Sequence, residues 1–117
     1  MRLSTIAQLL RAQVLTGAEY LDFDARNACG SDFMSDVLAY VKDQSVLLTG
    51  RTNPQVIRTA EMMDIRCVIF VRGKMPDEAS LRLAQEKQMV VMSSAFRMYE
   101  ACGRLYSAGL HDEADAP

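Results

Sequence analysis

Histidine is almost missing from this sequence, cysteine is sparse and odd in number, and neither sign of charge dominates. The single histidine, His111, stands beside Asp112 and Glu113 in a charged stretch, where nothing would hold an imidazole against a nucleophile. Cys29, Cys67 and Cys102 are far apart, and none forms a CxxC or CxxH pair. Neither a disulfide framework nor a zinc site is indicated, and reduced thiols of a cytoplasmic protein are expected. Thirteen Lys and Arg against fifteen Asp and Glu leave a formal charge of -2. With acids and bases interspersed, there is no basic footprint for a phosphate backbone, and nucleic-acid binding is not expected. Arg2, Ser4, Thr5 and Gln8 interrupt the first apolar residues, so a signal-peptide core is lacking. No run is long enough to span a membrane.

Nucleotide-loop signatures are missing as well. A phosphate loop ending at Gly73-Lys74 would need glycine where Val68 stands and a hydroxyl where Met75 stands, and no G-x-G-x-x-G occurs. The carboxylate pairs Asp22 and Asp24, and Asp32 and Asp36, have spacings common on solvated turns and helix faces, and they read as surface rather than as a cation site. No catalytic residue, metal ligand or cofactor is therefore assigned. The expectation is a non-catalytic module.

What is present suits a folded domain. The 117 residues are 50% apolar and 24% charged, the balance of an ordinary globular chain. One domain over residues 1–110 is expected, with residues 111–117 a disordered acidic tail. Ser4 to about Arg11 reads as an amphipathic helix behind a Ser/Thr cap, with Ile6, Leu9 and Leu10 on one face. A strand follows at Gln13 to Leu15 and stops at Thr16-Gly17, and Tyr20 to Asp24 reads as a solvated extension or turn. The stretch Ala25 to Gly30 stays ambiguous. Ser31 or Asp32 then caps a helix carrying Met34, Val37, Leu38 and Val41.

From residue 45 the pattern sharpens. Ser45 to Thr49 is a β-prone run ended by Gly50, and Asn53-Pro54 opens a helix with Val56, Ile57, Ala60 and Met63 on its buried face. Cys67 to Val71 is apolar on both faces, as a central parallel strand requires. Pro76-Asp77-Glu78 opens the next helix and Lys87 closes it. Met89 to Met92 is a further strand, and Ser93-Ser94 is read as the cap of a last helix from about Ala95 to Ala108, with Gly109 as its C-terminal cap. This alternation predicts a three-layer α/β/α fold around a mainly parallel sheet.

Two features point toward function. Loops leaving the C-terminal ends of neighbouring parallel strands share one edge. Here they bring together Thr49, Gly50, Arg51, Thr52 and Asn53, then Arg72, Gly73 and Lys74, then Ser93 and Ser94. Hydroxyls, helix starts and three cations are the chemistry of an anion pocket, whereas caps and turns alone would also select Ser, Thr, Asn and Gly. The last helix carries two apolar stripes: Phe96, Tyr99, Gly103, Tyr106 and Leu110, and Met98, Cys102 and Leu105. So wide a sector is expected either from a homodimer interface or from burial within the domain. The eight methionines, among them Met62, Met63, Met89 and Met92, are read mostly as core filler.

The segments Val46 to Thr59 (VLLTGRTNPQVIRT), Ala60 to Gly73 (AEMMDIRCVIFVRG), Pro76-Asp77-Glu78, Tyr99 to Leu110 (YEACGRLYSAGL) and Ser31 to Leu38 (SDFMSDVL) resemble the DRTGG domain family over nearly the whole chain. The departure lies in the name-giving stretch, where Arg26-Asn27-Ala28-Cys29-Gly30 replaces arginine, threonine and paired glycines. The resemblance implies a fold similar to the N-terminal domain of HPr kinase/phosphorylase. It also implies a regulatory role, since relatives are fused to CBS domain pairs in nucleotide-regulated pyrophosphatases or precede phosphotransacetylase domains. Short relatives are encoded beside iron-hydrogenase-type proteins. The leading expectation is a dimerising regulatory module that senses a nucleotide or other small phosphorylated ligand. The alternative is an interaction subunit that docks on an electron-transfer or phosphoryl-transfer enzyme partner.

Overall fold

The computed structural model describes residues 1–42 and 44–111, so all but the first residue of the expected acidic tail lies outside the described residues. In chain order the elements are α1 (Leu3–Leu9), β1 (Gln13–Thr16), a 3-10 turn (Ala18–Tyr20), β2 (Asn27–Gly30), α2 (Met34–Tyr40), β3 (Ser45–Thr49), α3 (Pro54–Met62), β4 (Cys67–Phe70), α4 (Glu78–Glu86), β5 (Val90–Ser93) and α5 (Met98–Ser107). The strands form one sheet in the order β1-β5-β4-β3-β2, in which only β1 runs antiparallel. The ambiguous stretch after Ala25 is therefore the edge strand β2, in register with β3 from Asn27 opposite Ser45 to Gly30 opposite Leu48.

The period-2 alternation of β3, β4 and β5 splits the core in two. Val46, Leu48, Cys67, Ile69, Val90 and Met92 face Leu3, Ile6, Leu10, Ala101 and Leu105 of α1 and α5 and the turn after α1. Leu47, Val68, Phe70 and Val91 face Val37, Val56, Ile57, Ala60 and Ala84 of α2, α3 and α4. Parallel strands covered on both faces need apolar side chains at every position, which is why these segments read as unbroken runs. Met89 and Met92 are core residues, but Met62 is 72% exposed and is not core filler.

Helix starts depart most from expectation. Ser4 and Thr5 lie inside α1, whose N-cap is Arg2 with no side-chain bond. Asn53 makes none either. At α2 the N-cap is Phe33, whose N–H donates to Ser31 Oγ at 3.0 Å. Leu38 is 47% exposed, and of the expected α2 face only Val37 is fully buried. The last helix begins at Met98 with Arg97 as its N-cap, so Ser93 and Ser94 do not cap it. Ser93 is instead the end of β5, and Ser94 Oγ donates 2.8 Å to the buried Leu10 carbonyl. The C-terminal ends follow expectation better: Gly109, at φ 101°, lies just past α5, with Leu110 N–H donating to Leu105 O.

One cap is complete. Asp77 Oδ1 accepts the Ser80 N–H at 2.7 Å at the start of α4. Hydrogen bonding to Ser80 holds the Asp77 carboxyl below its ordinary value. Because the folded value is the lower one, the stabilisation is full above the unfolded value of 3.8 and is lost as pH falls through the folded value. Asp77→Ala is expected to melt below wild type at pH 7. In melts followed by circular dichroism the gap should close progressively below about pH 4; a pH-independent gap would show that the carboxylate charge contributes nothing.

Candidate functional site

The edge expected to hold a site is formed by the segments that follow β2, β3, β4 and β5, and its geometry is set at Gly50. There the Gly50 N–H donates to Asp32 Oδ1 at 2.7 Å, and the Thr49 hydroxyl donates to the same oxygen at 3.1 Å. Arg51 N–H donates to Thr49 Oγ1 at 3.2 Å. Asp32, read from sequence as solvated surface, is thus half-buried and fixed against the end of β3. Nothing in its spacing from Asp36 signals this, since the contact spans 18 residues and depends on the pairing of β2 with β3.

Gly50 also meets Arg72. A Cβ at position 50 would collide with Arg72 Nη2 and stand 3.2 Å from Cζ, so the guanidinium lies across a site only glycine leaves open. Arg72 itself has φ 60°, and Gly73 follows at φ 67°. The other non-glycine residues with positive φ are Arg11, Gln44, Asp64 and Gln88. Arg11, Asp64 and Gln88 directly follow helices, where this conformation closes a C-cap, and Gln44 precedes β3. Arg72 alone among them follows a strand. Its left-handed backbone costs about 1–3 kcal/mol and is held by its N–H bond to Phe96 O at 2.8 Å. Among the described residues Arg51, Arg72 and Lys74 enter no ion pair, and all three are exposed.

The rest of the expected rim is committed internally. Gly73 N–H donates to Ser94 O at 2.8 Å, and Ser93 Oγ donates to Lys74 O at 2.7 Å. These bonds join the loops after β4 and β5, although the following helices leave to opposite faces of the sheet. Ser93 and Ser94 therefore offer no free hydroxyl. The start of α4 is closed by Asp77, and Ser80 Oγ donates to Thr52 O at 3.2 Å. What stays solvent-accessible is a strip from Asp32 and Gly50, both half-buried, to exposed Arg72, with exposed Arg51 and Asn53 and the uncapped start of α3 beside it. Two large apolar side chains are exposed next to this strip in sequence, Phe33 at 66% and Met75 at 53%.

A second open feature is a broad apolar groove between α5 and the free edge of β2, lined among others by Ala28, Gly30, Met98, Cys102, Gly103 and Tyr106. Tyr99 is 90% exposed, whereas Leu110 from the same expected stripe is buried and Tyr106 stacks on His111 with centroids 4.4 Å apart. The altered name-giving stretch, Asn27 to Gly30, supplies the strand wall of this groove. Among the described residues no group of three or more His, Cys, Asp or Glu side chains could hold a metal ion. No helix among them is long and apolar enough to cross a membrane.

A three-layer α/β domain whose strand-end loops are braced around one glycine is the class this geometry defines. The DRTGG domain model matches residues 5–108, and the chain belongs to that family. Among solved structures it is similar to the CBS and DRTGG domains of the regulatory region of Clostridium perfringens pyrophosphatase, crystallised with the activator diadenosine tetraphosphate. That likeness has a TM-score of 0.74 at 13% identity, over 89% of this chain and 45% of the other. No curated protein matches the sequence.

Burial pushes all three thiols up: Cys67 furthest, Cys102 with a smaller contribution from Cys29, and Cys29 with one from Asp36. Thiolate is the reactive form. Native protein treated with a thiol reagent at pH 8 should label slowly at Cys29 and Cys102 and at Cys67 only after denaturation, as read by peptide mass spectrometry. Native labelling of Cys67 at the rate of the other two would contradict this core.

Proposed function

We propose that the chain is a non-catalytic regulatory module that binds a small phosphorylated metabolite, a nucleotide above others, along the strip at Gly50. The observation that carries this reading is Arg72: an unpaired guanidinium on a strained backbone, laid across a glycine at the end of a central strand. Strain of this kind persists where the surrounding structure over-determines it, and it clusters at ligand clamps. The regulatory setting and nucleotide activator of the Clostridium perfringens region support the same reading.

Magnitudes define the ligand class. The uncapped start of α3 adds about 0.3–1 kcal/mol toward an anion, and a charged hydrogen bond from arginine about 1.5–3 kcal/mol. Their sum of about 2–4 kcal/mol falls well short of the roughly 8 kcal/mol of micromolar affinity. Inorganic phosphate should bind weakly, and a base or another apolar moiety has to supply the remainder. In calorimetry with AMP, ATP and phosphate, Arg72→Ala and Gly50→Ala should both weaken nucleotide binding about tenfold or more. The alanine Cβ displaces the flexible end of Arg72 rather than backbone, so Gly50→Ala should melt near wild type. A nucleotide that binds both variants as tightly as wild type would sink the strip as its site.

Dimerisation is the second part of the reading, with the α5–β2 groove as the shared face. Its support is the exposure of Tyr99 beside half-buried Met98 and Cys102, a combination enriched where protein surfaces meet. Light scattering at high micromolar concentration should give twice the 13.0 kDa mass, and Tyr99→Glu should return it to one. A wild-type monomer would instead favour the alternative, in which this face docks on an electron-transfer or phosphoryl-transfer enzyme.

A further inference from the structure

Resting on the nucleotide reading of the strip, we infer that Asp32 is its specificity-determining residue, reading the ribose hydroxyls of a nucleotide whose phosphate meets Arg72 and whose base stacks on Phe33. Asp32 and Arg72 both meet Gly50, one through its N–H and the other where its Cβ would stand, yet they form no ion pair. An acid and a base that share a neighbour without pairing suit a ligand that carries a hydrogen-bond donor and an anion together. A bare anion gains from the guanidinium but is repelled by the carboxylate.

The two oxygens of Asp32 have separate employment. Oδ1 accepts both Gly50 N–H and Thr49 Oγ1–H, which fixes the carboxylate in place. Oδ2 accepts nothing from the described residues, although an ionised carboxylate has about four acceptor positions in all. An acidic side chain can accept a hydrogen bond from a ribose hydroxyl, and Oδ2 is the oxygen left to do so. Phe33, the next residue, is 66% exposed while its N–H is tied to Ser31 Oγ at 3.0 Å. Its ring is a large apolar surface on a fixed backbone, and any base can stack on an aromatic face. Carboxylate, guanidinium and phenyl ring thus meet the sugar, the phosphate and the base of one ligand, and the phenyl supplies the apolar contribution that phosphate binding lacks.

The test compares AMP with 2′,3′-dideoxy-AMP by calorimetry on the full chain, using wild type, Asp32→Asn, Phe33→Ala and Arg72→Ala. Asparagine keeps an Oδ1 acceptor for Gly50 and Thr49 and replaces the open oxygen by a donor, so the fold is retained, which thermal melts verify. Wild type should bind AMP at least about tenfold more tightly than the dideoxy analogue, and Asp32→Asn should abolish that preference. Phe33→Ala should weaken both nucleotides alike, by about fivefold or more. Equal wild-type affinity for the two nucleotides, or a preference that survives in Asp32→Asn, overturns this inference. If the affinity is nonetheless sensitive to Arg72→Ala, the nucleotide reading survives it. Absence of AMP binding to wild type overturns this inference alone, whereas nucleotide binding indifferent to Arg72→Ala overturns both.

Discussion

The parallel pairing of β2, β3, β4 and β5 requires that both faces of the sheet be covered, and the rest of the molecule follows from that constraint. Each parallel connection must return the chain to the start of the next strand, which a helix accomplishes while burying one face. Because the strands are laid down in spatial order from β2 to β5, all three crossover helices fall on the same side. The opposite side is covered by α1 and α5, which flank the crossover unit in sequence. Their junction with the sheet is sealed by Ser94 reaching the Leu10 carbonyl, a buried bond spanning 84 residues.

Four strand ends consequently open onto one edge, and that edge cannot be left loose. Unpaired backbone groups there would be costly once partly buried, and the loops after β4 and β5 satisfy each other through Arg72, Gly73, Ser93 and Ser94. The bracing removes most of the hydroxyls from ligand chemistry. Arg72 and Gly73, both at positive φ, are the central residues of a turn closed by Lys74 N–H donating to Val71 O at 3.2 Å, and the Arg72 side chain lies over Gly50. The braced turn thus carries the cationic feature of the edge.

The sheet was legible in the sequence because its signal is compositional. Runs such as Cys67 to Val71 have no polar position, and only a strand buried on two faces explains that at such short length. β2 escaped because an edge strand covered mainly by α5 on one side needs little hydrophobicity: Asn27-Ala28-Cys29-Gly30 has neither alternation nor bulk. Helix starts were misread for a different reason. Ser93-Ser94 has the right chemistry for a cap, but α5 starts only at Met98; the two hydroxyls donate to Lys74 O and Leu10 O instead, and Ser94 Oγ accepts the Phe96 N–H at 3.3 Å ahead of the helix. Cap propensity is a local preference, and long-range hydrogen bonds override it.

Arg72 was identifiable from its place at the end of the most apolar strand, whereas Asp32 was not. A strand-end position is a property of local pattern and survives translation from sequence to structure. The role of Asp32 depends on β2 pairing with β3 in one particular register, Gly30 opposite Leu48. A one-residue slip would move the carboxylate by about 3.3 Å, out of hydrogen-bonding reach of Gly50 N–H. Overall charge is blind to such placement: acids and bases alternate along the chain, while the topology puts Arg51, Arg72 and Lys74 in loops at the same edge as Asp32. A module whose net charge is nearly balanced can in this way carry charges of both signs along one edge, an arrangement unlike the uniform basic surface that a polyanion such as nucleic acid requires.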